Sequence, residues 1–251
     1  MNISLLEREK KILDILTENQ NQTVNSLSKI FKVSTVTIRS DLSSLEEKGL
    51  IVRMRGGAFP AYHPAILEGQ KKMRTEKERI AKAAAAMIED GDTVMINDGS
   101  TSSLIPRYLL GKRDIHIVTN STLAFTYARI NPALNLTLVG GEFRPSTEAI
   151  VGPMALRDIA EYHVKYAFLG TGGFSLETGL TTHLAEGSEI FKKMTEQAEQ
   201  VITVTDSSKY GKNGFVKIFP LARMDKIITD NGLSKDIYER LIDSGLDVEL
   251  V

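Results

Sequence analysis

From residue 75 onward the chain repeats one pattern that few folds accommodate. A short β-branched or apolar run is followed at once by small polar or glycine residues. "TVMIN" runs into "DGSTSS"; "IHIVTNS", "LNLTLVGGE", "VKYAFLGTGG", "QVITVTDSSKYG", "DKIITDNG" and "LDVELV" repeat the form. Helical segments lie between them, the first being "TEKERIAKAAAAMIEDGD", read as a helix ending at Gly91. Strand and helix in alternation predict an α/β domain around a largely parallel sheet. In such sheets ligands bind outside the carboxyl ends of the strands, where these small polar loops fall.

The first 58 residues follow another rule. In "SLLEREKKILDILTENQ", Leu5, Ile12, Leu13 and Leu16 share a face opposite Glu and Lys. Thr23 is placed to cap "VNSLSKIFK", with Leu27, Ile30 and Phe31 apolar, and Ser34 to cap a third helix. In that helix Ile38, Leu42 and Leu45 fall at i, i+4 and i+7 and face inward, and Gly49 supplies a left-handed C-cap. "LIVRMR" alternates like a strand and "GG" turns it back. Three helices and a hairpin predict a winged helix-turn-helix domain over residues 1–58. Residues 59–74, with two prolines, a glycine and poor periodicity, read as a linker to an effector domain at 75–251.

With the apolar face inward, Ser34, Thr35, Val36, Thr37, Arg39, Ser40 and Ser43 occupy the outer side of the third helix. Short hydroxyls let a helix approach a DNA groove closely. Arg39 can pair bidentately with guanine, and the methyl groups of Val36 and the threonines can meet thymine methyls. Arg53 and Arg55 on the wing would reach phosphates or a minor groove. The charge distribution agrees: net charge is +4 over residues 1–74 and −5 over 75–251. Ser and Thr also tolerate a plain solvated face, so the basic wing and the tri-helical pattern carry the DNA reading.

Several classes are excluded. The chain of 251 residues has no cysteine, hence no disulfide or thiolate metal site, and its four histidines show no metal spacing. No apolar run approaches the ~20 residues of a membrane span. The N-terminus is charged too early for a signal peptide. A cytoplasmic protein without cofactor or metal is expected.

Among the loops, "NDGSTSS" offers the most. Gly99 permits a tight turn, after which the N–H groups of Ser100, Thr101, Ser102 and Ser103 would open a helix, a phosphate-binding arrangement that also reads as ordinary capping. No Walker pattern occurs, and "GTGGF" lacks the full dinucleotide fingerprint. Lys209 in "TDSSKYG" can meet an anionic or hydroxyl group. "TN" at 119–120, "GGE" at 140–142 and "GLTT" at 179–182 add an amide, hydroxyls and close backbone approach, groups that suit a polyol.

Taken in order, these segments resemble one family. "VSTVTIRSDLSSLEEKGLIVRMRGGA" is similar to the signature of DeoR-type bacterial transcription regulators. "EKERIA", "DGST", "VTNS", "GGEFR", "GTGGFS…GLTT" and "DSSKYG" extend the likeness over nearly the whole chain. The resemblance implies a repressor whose C-terminal domain has a ribose-5-phosphate-isomerase-like fold and whose inducer is a phosphorylated sugar or related metabolite. It places DNA contacts on Thr37, Arg39 and the wing. It places effector contacts on Gly99, Ser100, Thr101, Asn120, Gly140, Gly141, Gly172, Thr181 and Lys209, beside Asp98 and Ser102 of the same loop. Three positions depart from the family's pattern. Ser40 stands where a second arginine is usual, and Asn97 where Asp is frequent. Gly187 and Phe191 stand where a Glu and a Lys are usual, with Glu186 and Lys192 displaced by one residue.

The expected partners are operator DNA and the sugar-derived effector, with a homodimer or homotetramer to match a palindromic operator and no membrane. The competing reading is a sugar-phosphate isomerase fused to a DNA-binding module. Such an enzyme needs a carboxylate base beside the phosphate loop. The central strand end "FLGTGGFS" has none, leaving only Asp98, Glu142 and Asp206 in other loops. A winged helix used only for protein contacts would not need Arg39, Arg53 and Arg55.

Overall fold

The computed structural model describes residues 6–19, 22–54 and 57–251. Leu5, Gly56 and Arg55 of the expected wing therefore lie outside the described residues. The chain divides into two compact units, one closing at Glu68 and the other running Gly69–Val251.

In the first unit α1 (Glu7–Glu18), α2 (Val24–Phe31) and α3 (Thr35–Glu47) precede a hairpin of β1 (Ile51–Met54) and β2 (Gly57–Pro60). Thr23 caps α2 by accepting from the Ser26 N–H, and Ser34 caps α3 by accepting from the Thr37 N–H. Gly49 adopts φ 67° just past α3, a conformation that glycine reaches without a Cβ penalty. Ile12, Leu13, Leu16, Leu27, Ile38, Leu42, Leu45 and Ile51 form one buried cluster. Of the apolar residues named in α2, Leu27 is buried and Ile30 is 51% exposed. The stretch expected as a linker is structured. β2 reaches Pro60, and α4 (Pro64–Lys71) begins on a proline whose missing N–H costs nothing at a first helical position. Leu67 of α4 is buried in the same cluster, a single anchor too sparse to show as periodicity.

The second unit is built on α5 (Arg74–Ala86), β3 (Thr93–Ile96), β4 (His116–Thr119), α6 (Thr122–Ala128) and β5 (Asn135–Leu138). A side hairpin of β6 (Glu142–Arg144) and β7 (Ala149–Val151) leads to α7 (Pro153–Ala160) and β8 (Val164–Leu169). Next come β9 (Gly173–Ser175), β10 (Gly179–Thr182), α8 (Ala185–Glu196) and β11 (Ala198–Val204). β12 (Val216–Lys217), β13 (Lys226–Thr229), α9 (Lys235–Asp243) and β14 (Val248–Leu250) complete it. The seven runs singled out in the sequence are the seven strands of one sheet, ordered β14-β13-β11-β8-β3-β4-β5 and parallel throughout.

Alternate residues of each strand enter opposite cores. Val94 and Ile96, Tyr166 and Phe168, and Ile202 and Val204 meet Ile80, Ala81 and Ala84 of α5 and Ala124 of α6. Met95, Ala167, Leu169 and Val201 meet Ile159 of α7, Phe191 and Met194 of α8 and Leu241 of α9. Each such large apolar side chain contributes roughly 1.5–3 kcal/mol by leaving water. Two local expectations differ. α5 ends at Ala86, and Gly91 (φ 86°) belongs to the turn beyond it. "GLTT" is strand β10, in a small antiparallel sheet ordered β12-β10-β9.

The strand order fixes where a ligand can enter. After β3 the chain builds outward through β4 and β5, then returns to place β8 on the other side of β3 and continues through β11, β13 and β14. The connections leaving β3 and β8 therefore diverge, and a crevice opens between their carboxyl ends.

Candidate nucleic-acid interface and ligand cavity

The outer side of α3 is as the periodicity placed it. Ser34, Val36, Arg39 and Ser40 are exposed, and Thr35, Thr37 and Ser43 half-buried. Val36 leaves 70% of its surface open at the start of the helix. Four expected contact groups already pair with one another. The Ser34 hydroxyl is engaged in the cap and lies 2.9 Å from the Thr37 hydroxyl. Ser43 Oγ accepts from the Arg53 guanidinium at 3.1 Å, which ties wing to helix.

The orientation of α3 rests on two ion pairs that sequence reasoning missed. Arg8 grips Asp41 through Nε–Oδ2 at 2.6 Å and Nη2–Oδ1 at 2.9 Å. Lys48 Nζ meets both Glu9 oxygens at 2.8 Å. Burial works to raise the Glu9 carboxyl, but hydrogen bonds from Lys48, Ser44 and the Leu6 N–H outweigh it and hold the group below its usual range. The only signal for Asp41 was an acid directly before the inward Leu42.

In the second unit a cavity of about 190 Å³ opens at the β3/β8 crevice. One side is the loop after β3, Asn97 to Thr101, and the floor is Gly170, Thr171 and Gly172 after β8. Thr205, Asp206 and Lys209, after β11, also line it, as do Thr182, Gly187, Phe191 and Ile218. Asn97 holds the crevice together. Its Oδ1 accepts the Gly170 N–H at 2.7 Å and its Nδ2 donates to the Gly170 carbonyl at 3.2 Å. A carboxylate, which cannot donate, would make only the first of these bonds. A Cβ on Gly99 would stand 2.9 Å from Ser102 Oγ, so the turn requires glycine.

Polar groups around the cavity carry shifted protonation. Burial pushes the Asp98 carboxyl up, opposed by the Asn120 amide that donates to it at 3.0 Å. Lys77, buried on α5, donates to the Gly69 carbonyl at 2.7 Å and stands 3.9 Å from Asp206. Burial lowers its ammonium, Asp206 opposes this, and Lys209 and Lys72 lower it further. Lys212 is likewise lowered, first by burial and then by Lys72 and Lys209, against Asp206. Lys72 and Lys209 thus act on both Lys77 and Lys212, with Asp206 opposing at each. Thr205, which contributes to the lining, has its Oγ1 buried with no hydrogen-bond partner among the described residues.

Of the expected effector residues, Asp98, Gly99, Ser100, Thr101, Gly172 and Lys209 come together at the cavity. The others do not line it. Ser102 Oγ donates to the Asn97 carbonyl. Asn120 is fully buried, accepting the Asp98 N–H and donating to Asp98 and the Ile150 carbonyl. Thr181 Oγ1 donates to the Gly173 carbonyl and accepts the Gly214 N–H. Gly140 donates to Asp158, and a Cβ on Gly141 would strike the Val151 carbonyl at 2.6 Å. The helix expected after the loop is a seven-residue 3-10 helix, Ser102–Tyr108, and the Ser103 N–H is already taken by the Gly99 carbonyl. That leaves little of the expected helix-terminus phosphate site; positive charge lies instead at the Lys209 end. Of the remaining lining residues, Gly187 and Phe191 were named in the sequence only as departures from the family's pattern, and Ile218 was not expected. Among the described residues no cluster suits a metal ion, and no helix is long and apolar enough to cross a membrane.

A winged helix-turn-helix and an α/β unit with a polar cavity, joined in one chain, are the build of a DNA-binding transcription regulator. The comparisons specify which. Residues 8–60 match the DeoR-like helix-turn-helix domain and residues 72–231 the DeoR C terminal sensor domain. The chain is 34% identical over 247 residues to the HTH-type transcriptional regulator GlpR of Haloferax volcanii, covering 96% of each. It is 31% identical to the HTH-type transcriptional repressor GlcR of Bacillus subtilis, covering 96% of this chain and 95% of that one. Ribose 5-phosphate isomerase A from Methanocaldococcus jannaschii aligns over 55% of each chain at 20% identity and a TM-score of 0.42, too distant to bear on function. The protein belongs to the DeoR family of helix-turn-helix transcription regulators.

Proposed function

We propose that this regulator is a cytoplasmic repressor of a sugar uptake or catabolism operon, released from its operator when a phosphorylated sugar occupies the cavity. The observation that carries the reading is the cavity's composition. Hydroxyls, an amide and glycine backbone along the 97–101 and 170–172 loops suit sugar hydroxyls. Lys209, which lines the cavity and whose charge acts on Lys77 and Lys212, suits the phosphate. An anion there would relieve the repulsion among the lysines.

On DNA, Arg39 and the threonines of α3 read base edges while Arg53 and Arg55 engage the backbone. A homodimer or homotetramer would set half-sites about one helical turn, ~34–36 Å, apart or a multiple of it.

The isomerase alternative has one point in its favour, the raised Asp98 carboxyl, since shifted acids mark catalytic sites. Against it, each loop acid already has a partner. Asp98 is clasped by Asn120, Asp206 accepts from Ser208, and Glu142 pairs with Arg144. A thermal-shift screen of sugar phosphates beside the matching free sugars tests the reading. A ligand at ~100 times its Kd stabilises the native state by about 2.7 kcal/mol. Stabilisation by the phosphorylated forms alone is expected; none by any of them contradicts it.

A further inference from the structure

Lys77 is a cation in the interior held by a neutral group. It lies on α5 with 3% of its surface exposed, and its Nζ donates to the Gly69 carbonyl at 2.7 Å. The carboxylate of Asp206 stands 3.9 Å away, beyond hydrogen-bond reach. The Gly69 carbonyl belongs to the last turn of α4, where backbone acceptors have no partner further along the helix and a cation is favoured. Leu67, two residues before Gly69 on the same helix, is buried in the core of the first unit. One bond from α5 thus fixes the end of the segment that anchors in that core.

The turn that this bond spans is strained. Between α4 and α5, Met73 adopts φ 51° and ψ 40°, a left-handed conformation that glycine alone reaches freely. Such a conformation persists only where its surroundings hold it. Lys77, reaching back from α5 to α4, holds it here. Both ends of the bond adjoin the cavity lining. Asp206 lines the cavity beside Lys77, and Ser100 lines it beside Gly69, where an added Cβ would stand 3.7 Å from Ser100 Cβ.

We infer that Lys77 is a positioning residue that clamps the α4–α5 turn in the operator-binding state, and that an anionic ligand in the cavity draws its ammonium off the Gly69 carbonyl and lets the turn relax. This rests on the reading of the cavity as an effector site. A full negative charge attracts the ammonium more strongly than the partial charge of a carbonyl at the same distance. Once the ammonium leaves, the Gly69 carbonyl has lost its partner and the left-handed turn its restraint. The strain released at Met73 then favours the state that holds the ligand.

The full chain, Lys77→Met and Met73→Gly test the clamp. Affinity for a duplex selected in vitro from random sequences is measured by fluorescence anisotropy, alone and with glucose 6-phosphate, fructose 6-phosphate or ribose 5-phosphate. Lys77→Met keeps an unbranched side chain without the charge. With no sugar phosphate present it should bind the duplex as weakly as the original chain does at saturation, a loss on the order of 5–150-fold, and no sugar phosphate should weaken it further. Hydrogen exchange at residues 69–73 should be fast in this variant, and fast in the original only with the effective sugar phosphate. Met73→Gly removes the cost of the left-handed turn, so release of the duplex should need about fivefold or more of that sugar phosphate. Lys77→Met that binds the duplex as the original does, or that binds weakly yet is still released by the original factor, overturns the clamp and leaves the sugar-phosphate reading standing. If none of the three compounds releases the original chain, the ligand reading fails, and the ligand-free arm decides the clamp: unchanged duplex affinity and exchange in Lys77→Met overturn it. Should Lys77→Met fail to fold, Met73→Gly decides, and release at the original's ligand concentration overturns the clamp.

Discussion

The two units expose their polar chemistry in opposite ways. In the first, the groups proposed to meet DNA lie outward on α3, with Arg39 and Ser40 exposed, and among the described residues buried charge is confined to Asp41 and Glu9, which meet Arg8 and Lys48. In the second, the working groups face inward, and Asn97, Asn120, Thr181 and Asp206 are all buried. A surface that reads DNA needs free donors on a rigid helix, so ion pairs behind the helix orient it. A cavity for a small polyol needs convergent groups whose rotamers are fixed, so a second layer of amides and hydroxyls holds the first.

The sharpest break between the units comes from their cores. Leu42→Ala empties a buried site on the inner face of α3. It should cost about 2–5 kcal/mol, a large share of what a unit this small can hold. Operator binding should be lost in gel-shift assays while sugar-phosphate binding persists by calorimetry. Loss of both would mean the units do not act separately.

Next in size are the arginines of the reading surface. Arg39→Ala should weaken operator binding by roughly 1–3 kcal/mol and relax sequence preference at one position. Arg53→Ala should weaken all sequences alike and reduce the salt slope by about one. Fluorescence anisotropy over a salt series separates the two, and interchanged behaviour would reverse the assigned roles.

The smallest effects are in the response to pH, where the units should diverge. Glu9 is held below its ordinary 4.5, so its contribution is present above that value and is lost as pH falls through the folded-state pKa. Asp98 is raised above its ordinary 3.8, so its contribution is present below that value and is lost as pH rises through the folded-state pKa. In urea titrations across acid pH, Glu9→Gln should flatten the loss on acidification and Asp98→Asn the loss on the return towards neutrality. Unchanged slopes would mean these carboxyls do not set the pH response.

What the sequence made legible follows the same divide. An outward-facing site on one helix is encoded by spacing alone, because Ile38, Leu42 and Leu45 define the inner face and leave Arg39 and Ser40 outside. The seven parallel strands were legible because each is an apolar run closed by a small-residue loop. The cavity was only half legible. Asp98 to Thr101, Gly172 and Lys209 lie in loops at strand ends, where position predicts access. Asn120 and Thr181 carry the same chemical groups, but hydrogen bonds to distant backbone turn them into supports, and such pairings have no local signature. Gly187 and Phe191 stood out in the sequence only as departures from the family's pattern, and Ile218 not at all, for a related reason. Phe191 fits the pattern of an inward helix position, and only the meeting of α8 with the β3/β8 crevice makes it a cavity wall.

The central claim is that one ligand in the cavity and one duplex on α3 oppose each other. Coupling of this kind is reciprocal: if the sugar phosphate weakens DNA binding, DNA must weaken sugar-phosphate binding by the same factor, typically ~5–150-fold. The direct measurement is calorimetry of the sugar phosphate identified by thermal shift, with and without a saturating duplex selected in vitro from random sequences. A dissociation constant raised by the duplex, by the factor with which the ligand raises that of the duplex, is the predicted result. Equal affinity for the ligand in the two titrations would contradict the account.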